Sequence, residues 1–197
     1  MLKVYIKLNM EIGDSIPMIG TWFYLHFVEN EGMAWGWTFG GEYGKLFLSI
    51  FRLIAITGIA YYLYTLVKNK YPKKLIISMS LILAGAMGNM IDSAFYGLLF
   101  SRSDVFDVAT FLPADGGYAT FLHGKVVDMF YFPIISGIWP DWVPIMGGKY
   151  FEFFRPVFNI ADASISIGVA LLIIFQKHLK PKKELTPVVE DEHDNIP

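Results

Sequence analysis

Three long apolar runs, at about 46–67, 75–100 and 157–175, dominate this chain. Each is close to the roughly 20 residues that a helix needs to cross a bilayer, which leaves few folds open. Two of the runs carry the same interruption, an Asn and an Asp three residues apart: Asn89-Met90-Ile91-Asp92 and Asn159-Ile160-Ala161-Asp162. An acid at membrane depth costs about 2.5–3.5 kcal/mol on insertion scales, so it is read first as functional.

Composition agrees with a membrane protein: 54% of the 197 residues are hydrophobic and 17% are charged, against about 25% charged in soluble domains. The chain has no Cys, which excludes disulfides and thiolate chemistry. Its four His (His26, His123, His178 and His193) have no ligand spacing, so neither a zinc site nor any other cofactor is expected. A net charge of −2 gives no basis for a nucleic-acid partner.

Lysines set the orientation. Lys68, Lys70, Lys73 and Lys74 lie between the first two runs, and Lys177, Lys180, Lys182 and Lys183 follow the third. The positive-inside rule places both clusters in the cytoplasm. The aromatic, Gly-rich region 13–45, read as one or two short strands, and the segment 101–156 then lie outside. Residues 181–197 read as a disordered cytoplasmic tail, and residues 1–180 as a single domain. Arg52 lies near the end of its run, where it is expected to snorkel outward.

Helix rise converts position to depth. Asp92 is 17 residues past Leu75, about 25 Å from the inner end, and Asp162 is five residues past Val157, about 8 Å from the outer end. Both acids therefore fall near the outer surface. The i, i+3 spacing puts each Asn on the same helix face as its Asp. Asp128 sits in the apolar stretch 126–139, which is too short to span and is expected to lie at the interface. Three carboxylates can thus converge. Two such groups sharing a proton in low dielectric can activate water and polarise a carbonyl, which is the chemistry of an aspartic protease. Polar glue between helices, or a non-enzymatic lipid carrier or ion-coupled transporter, uses the same residue types. A transporter, however, would show inverted repeats and sites at the midplane. Asp104, Asp107, Asp115 and Asp141 read as solvated loop residues, His26 and His123 as interfacial, and the small residues Ala84 to Gly88 as close helix packing.

Four segments in order resemble the lipoprotein (type II) signal peptidases, bacterial membrane aspartyl proteases. Asn30-Glu31-Gly32-Met33-Ala34-Trp35-Gly36 is similar to the family's Asn-x-Gly-x-Ala-Phe-Gly, with Trp for Phe. Gly88 to Asp92 resembles Gly-Asn-Leu-Ile-Asp, Gly124 to Asp128 resembles Gly-x-Val-x-Asp, and Phe158 to Asp162 resembles Phe-Asn-x-Ala-Asp. The resemblance implies an all-α polytopic membrane protein, a four-helix bundle with a small extracytoplasmic β-cradle. It implies Asp128 and Asp162 as the catalytic pair, with Asn30, Gly32, Asn89, Asp92 and Asn159 supporting the pair and the substrate. It also implies a monomer in the bacterial cytoplasmic membrane, working among membrane lipids with its site at the outer face. Such an enzyme cuts prolipoproteins just before a diacylglyceryl-modified Cys and is blocked by globomycin-type cyclic peptides.

Three departures stand out. Ser93 occupies the place where the family carries Arg, so Arg155 or Arg102 is expected to substitute. The stretches 94–123 and 129–157 are longer than usual and suggest an outer lid or a docking element. The family's first apolar run, ending in Asp-Gln-x-x-Lys, is represented only by Leu2-Lys3, so the chain reads as truncated at its start.

Overall fold

The computed structural model describes residues 1–31 and 41–176. The elements run α1 (Leu2–Asn9), β1 (Ser15–Ile19), β2 (Phe23–Asn30), α2 (Gly41–Lys68), α3 (Lys73–Leu99), β3 (Val126–Tyr131), β4 (Ile135–Ile138), β5 (Tyr150–Phe153) and α4 (Ile160–Phe175). The remainder of the Gly32–Gly36 motif, and the tail with its lysines, lie outside the described residues.

The architecture corrects the all-α expectation. Among the described residues, three long helices and one short helix accompany five strands in two sheets. The cause lies in the segments outside the long apolar runs, where β-branched and aromatic residues are dense and Gly and Pro break the pattern. The apolar stretch 126–139 supplies β3 and β4, joined through Pro133. Region 13–45 supplies β1 and β2, but its end is already helical, because α2 begins at Gly41 instead of near Leu46.

α2 and α3 are long and apolar enough to cross a membrane, and α4 is a shorter apolar helix of 16 residues. α4 packs along α3 at backbone distance. A Cβ on Gly85 would stand 2.2 Å from the carbonyl oxygen of Ala161, so glycine is what lets the helices meet there. Ser164 adds a hydrogen bond to the Leu81 carbonyl at 2.8 Å.

The three-stranded sheet is antiparallel in the order β1-β2-β3. A register shift between Leu25 and Val28 sets Val28 opposite Asp128 and Asn30 opposite Val126. The core lies where this sheet, α1 and the C-terminal end of α3 meet: Ile6, Met10, Phe27, Tyr96, Phe100, Val127 and Met129. Lys7 is fully buried beside it. Lys7 pairs with Glu29 and donates to Ser103 at 2.7 Å, tying α1, β2 and the loop after α3 together. Burial pushes the Lys7 ammonium below its ordinary range, and the neighbouring Glu29 carboxylate opposes the shift. β4 and β5 form a separate hairpin with exposed apolar side chains, anchored to β3 by the Tyr131 hydroxyl donating to Glu152 at 2.5 Å.

Candidate active site

Five elements, β3, α4, α3, β2 and α1, deliver the acids and their partners to one place. Asp128 comes from β3, whose side chains alternate across the sheet. Val127 and Met129 enter the core, and Asp128, 4% exposed, faces the other way. Asp162 comes from the first turn of α4, and Asn89 and Asp92 come from α3.

Asn159 joins the two acids. Its side-chain nitrogen donates to Asp128 Oδ1 at 2.6 Å, and its backbone N–H donates to Asp162 Oδ2 at 3.1 Å. It is not a helical residue, as the i, i+3 reading assumed. Its backbone is extended (φ −123°, ψ 178°), and its side-chain oxygen caps α4 by accepting from the N–H groups of Ala161 (2.8 Å) and Asp162 (3.2 Å). β3 holds this cap in place through Phe158, which exchanges backbone hydrogen bonds with Phe130 at 2.7 and 3.1 Å.

The second Asn-x-x-Asp pair does lie on one helix, and its members divide their work. Asn89 donates to Asp162 Oδ1 at 2.7 Å and accepts from Asn159 Nδ2 at 3.1 Å. Asp92, buried, receives the Lys3 ammonium at 2.5 Å and the Val127 N–H at 3.3 Å. Lys3 also donates to Asn89 Oδ1 at 2.8 Å. Gly124 makes this junction close, because a Cβ there would stand 2.3 Å from the Asp92 carbonyl oxygen. Asn30 donates to Asp128 Oδ2 at 3.4 Å from the end of β2.

Burial raises the Asp128 carboxyl to about 6, and the nearby Asp162 charge adds to the shift. Donation from Asn159 and Asn30 and the charge of Lys3 pull the other way. A carboxyl so raised can hold a proton beside an ionised neighbour.

The structure brings Asp128, Asp162, Asn159, Asn89, Asp92 and Asn30 together, while Gly32 lies outside the described residues. Arg155 is exposed and faces Tyr131, and Arg102 is exposed too, so neither is seen to reach the acids. Ser93, at the family's Arg position, is buried under Gly124, whose N–H donates to its carbonyl at 2.8 Å. His26 and His123 bond locally to Ser15 and Thr120 and take no part. Among the described residues no His, Asp and Glu group could hold a metal ion. Two cations escaped a reading by residue type alone. Lys3 was visible only as the remnant of a motif. Arg52, expected to snorkel outward, lines a cavity together with Asn89, the donor to Asp162.

Comparison with known proteins gives the family. Residues 1–177 match the family model Peptidase_A8, described as signal peptidase (SPase) II. The chain is 48% identical over 174 residues to the lipoprotein signal peptidase of Porphyromonas gingivalis, covering 88% of this chain and 75% of the relative. It is 38% identical over 198 residues to that of Amoebophilus asiaticus, covering 97% and 79%. A bacterial membrane enzyme solved by the in meso method superposes with a TM-score of 0.55 at 28% identity, over 89% of this chain and 82% of that one. With such neighbours and two helices of spanning length, this is a bacterial membrane protein. Its matched sequence, its fold and its cluster of acids lead to one conclusion: the chain belongs to the signal peptidase II family.

Proposed function

We propose that this protein is an aspartic endopeptidase that removes signal peptides from diacylglyceryl-modified prolipoproteins, cutting just before the lipidated Cys. The observation that carries this reading is the single residue, Asn159, hydrogen-bonded to two carboxylates from different elements, Asp128 and Asp162. Asp162, held by two N–H donors, acts as base on a water. Asp128 holds the pair's proton and directs it at the scissile carbonyl oxygen. As water adds to the carbonyl carbon, its proton passes to Asp162 and the carbonyl oxygen takes the proton of Asp128. When the tetrahedral species collapses, Asp162 protonates the departing Cys nitrogen and Asp128 recovers its proton from a hydroxyl. Both acids start and end in the same state.

The chain crosses the membrane several times, with the loop around Lys70 in the cytoplasm and the acids toward the outer face. It acts as a monomer, since one chain supplies both acids. The test is incubation of the purified protein with a lipid-modified prolipoprotein, followed by mass spectrometry. The expected product begins at the lipidated Cys, and globomycin blocks its appearance. A wild-type enzyme that yields no such product, or an Asp128→Asn or Asp162→Asn variant that keeps full rate, overturns the reading.

A further inference from the structure

One face of α2 is built toward the site. Lys45, Ser49, Arg52, Ile56 and Ile59 follow one another at spacings of three and four residues, so they share a side of the helix. Lys45 ends on Glu31, and Ser49 donates to the Leu122 carbonyl at 2.9 Å. Arg52, Ile56 and Ile59 line a cavity of about 130 Å³ with Asn89 and Ala86 of α3 and Ile165 of α4. Asn89 in that cavity wall is the donor to Asp162, and the Arg52 charge acts on Asp162 from the same side. A guanidinium on a membrane helix stays charged and is costly away from water, which argues for a use.

Charge balance around the acids gives the use. Asp162 is faced by Arg52 from α2, Asn89 from α3, Asp128 from β3 and the Asn159 backbone, while Lys3 from α1 sits between Asp92 and Asn89. Three carboxylates and two cations become neutral when one carboxyl is protonated. Lys3 is committed to Asp92, and Asp128 is the raised acid, so Arg52 balances Asp162.

We propose that Arg52 is a positioning residue of this pair: its guanidinium, in the cavity wall beside Asn89, supplies the countercharge to Asp162 and leaves the shared proton on Asp128. This rests on the aspartic-protease reading above and assigns the base and acid within it. Arg52 does not touch the peptide or the water. It acts through Asp162.

The test compares pH–rate profiles of prolipoprotein cleavage for the wild type, Arg52→Gln, Arg52→Met and Arg52→Lys, with melting curves in detergent for each. Loss of the charge is expected to lower kcat by about tenfold or more and to move the acidic limb up by about one pH unit. KM should change little, and Arg52→Lys should restore most of the limb. Arg52→Met keeps the apolar stem and serves if Arg52→Gln folds poorly. An unmoved acidic limb in a folded neutral variant overturns the proposal, as does a Lys variant no better than Met. Asp128→Asn and Asp162→Asn run in parallel keep the two readings apart. Activity in those defeats the dyad itself, whereas an unmoved limb with inactive Asn variants defeats only the role of Arg52.

Discussion

The amide of Asn159 donates to Asp128 at 2.6 Å while its oxygen caps the helix that presents Asp162. The helix cap and the link between the two acids therefore meet in one fully buried side chain. Asn159→Ala should lose about 1 kcal/mol of capping. It should lose about 1–3 kcal/mol more by leaving Asp128 short of a donor. Asn159→Ser can still cap α4 but cannot reach β3. It should recover part of the melting temperature and little of the cleavage rate. Equal recovery of both would show that Asn159 only caps.

The raised Asp128 carboxyl also gives the fold a pH dependence. Its folded value, about 6, lies above the ordinary 3.8, so the protonated form is favoured by folding. That contribution is complete below about pH 4 and is lost as pH climbs through about 6, a change of about 2–3 kcal/mol. Asp128→Asn, neutral throughout, should melt above the wild type at pH 8 and show no such gain at pH 4. Melting curves that keep a constant offset across this range would contradict the assignment.

Lys7 and Glu29 offer a test away from the acids. Lys7 is fully buried and Glu29 nearly so, and removing one partner strands the other charge. Lys7→Met should cost about 3–5 kcal/mol, and the double change with Glu29→Gln should return most of it. Denaturant melts of the two single variants and the double variant measure the coupling.

Helix contact predicts a graded pair. A methyl on Gly85 meets the Ala161 backbone oxygen at 2.2 Å, but one on Gly88 meets only a methyl group at 3.2 Å. Gly85→Ala should cost about 1–3 kcal/mol by overpacking and should slow cleavage by displacing the start of α4. Gly88→Ala should be milder on both readouts.

How much of this was legible in the sequence differs by element. Apolar length marked the helices, and helix rise brought the two Asn-x-x-Asp pairs to a similar level, in keeping with the hydrogen bond from Asn89 to Asp162. Periodicity could not show that Asn159 precedes its helix, because capping depends on a backbone turn that β3 enforces. Nor could hydropathy tell whether Arg52 faces lipid or protein, since both readings fit one charged residue in an apolar run. Lys3 and Lys7 lie on an eight-residue helix whose lysines look solvated until the sheet folds over them. The β4–β5 hairpin hid in a stretch whose apolar content suggested only an interface.

The pairing of β2 with β3 has a consequence for biogenesis. Asn30 and Asp128 meet across 98 residues of chain, and Lys3 and Asp92 across 89. Such high contact order makes the cluster a late product of folding. Because side chains alternate along a strand, a slip of one residue in β3 would turn Asp128 away from α4. A half-made chain thus carries its acids apart, each in ordinary surroundings. Asp162 joins Asp128 only once α4 has docked on α3 and β3, so a chain that lacks α4 lacks the pair.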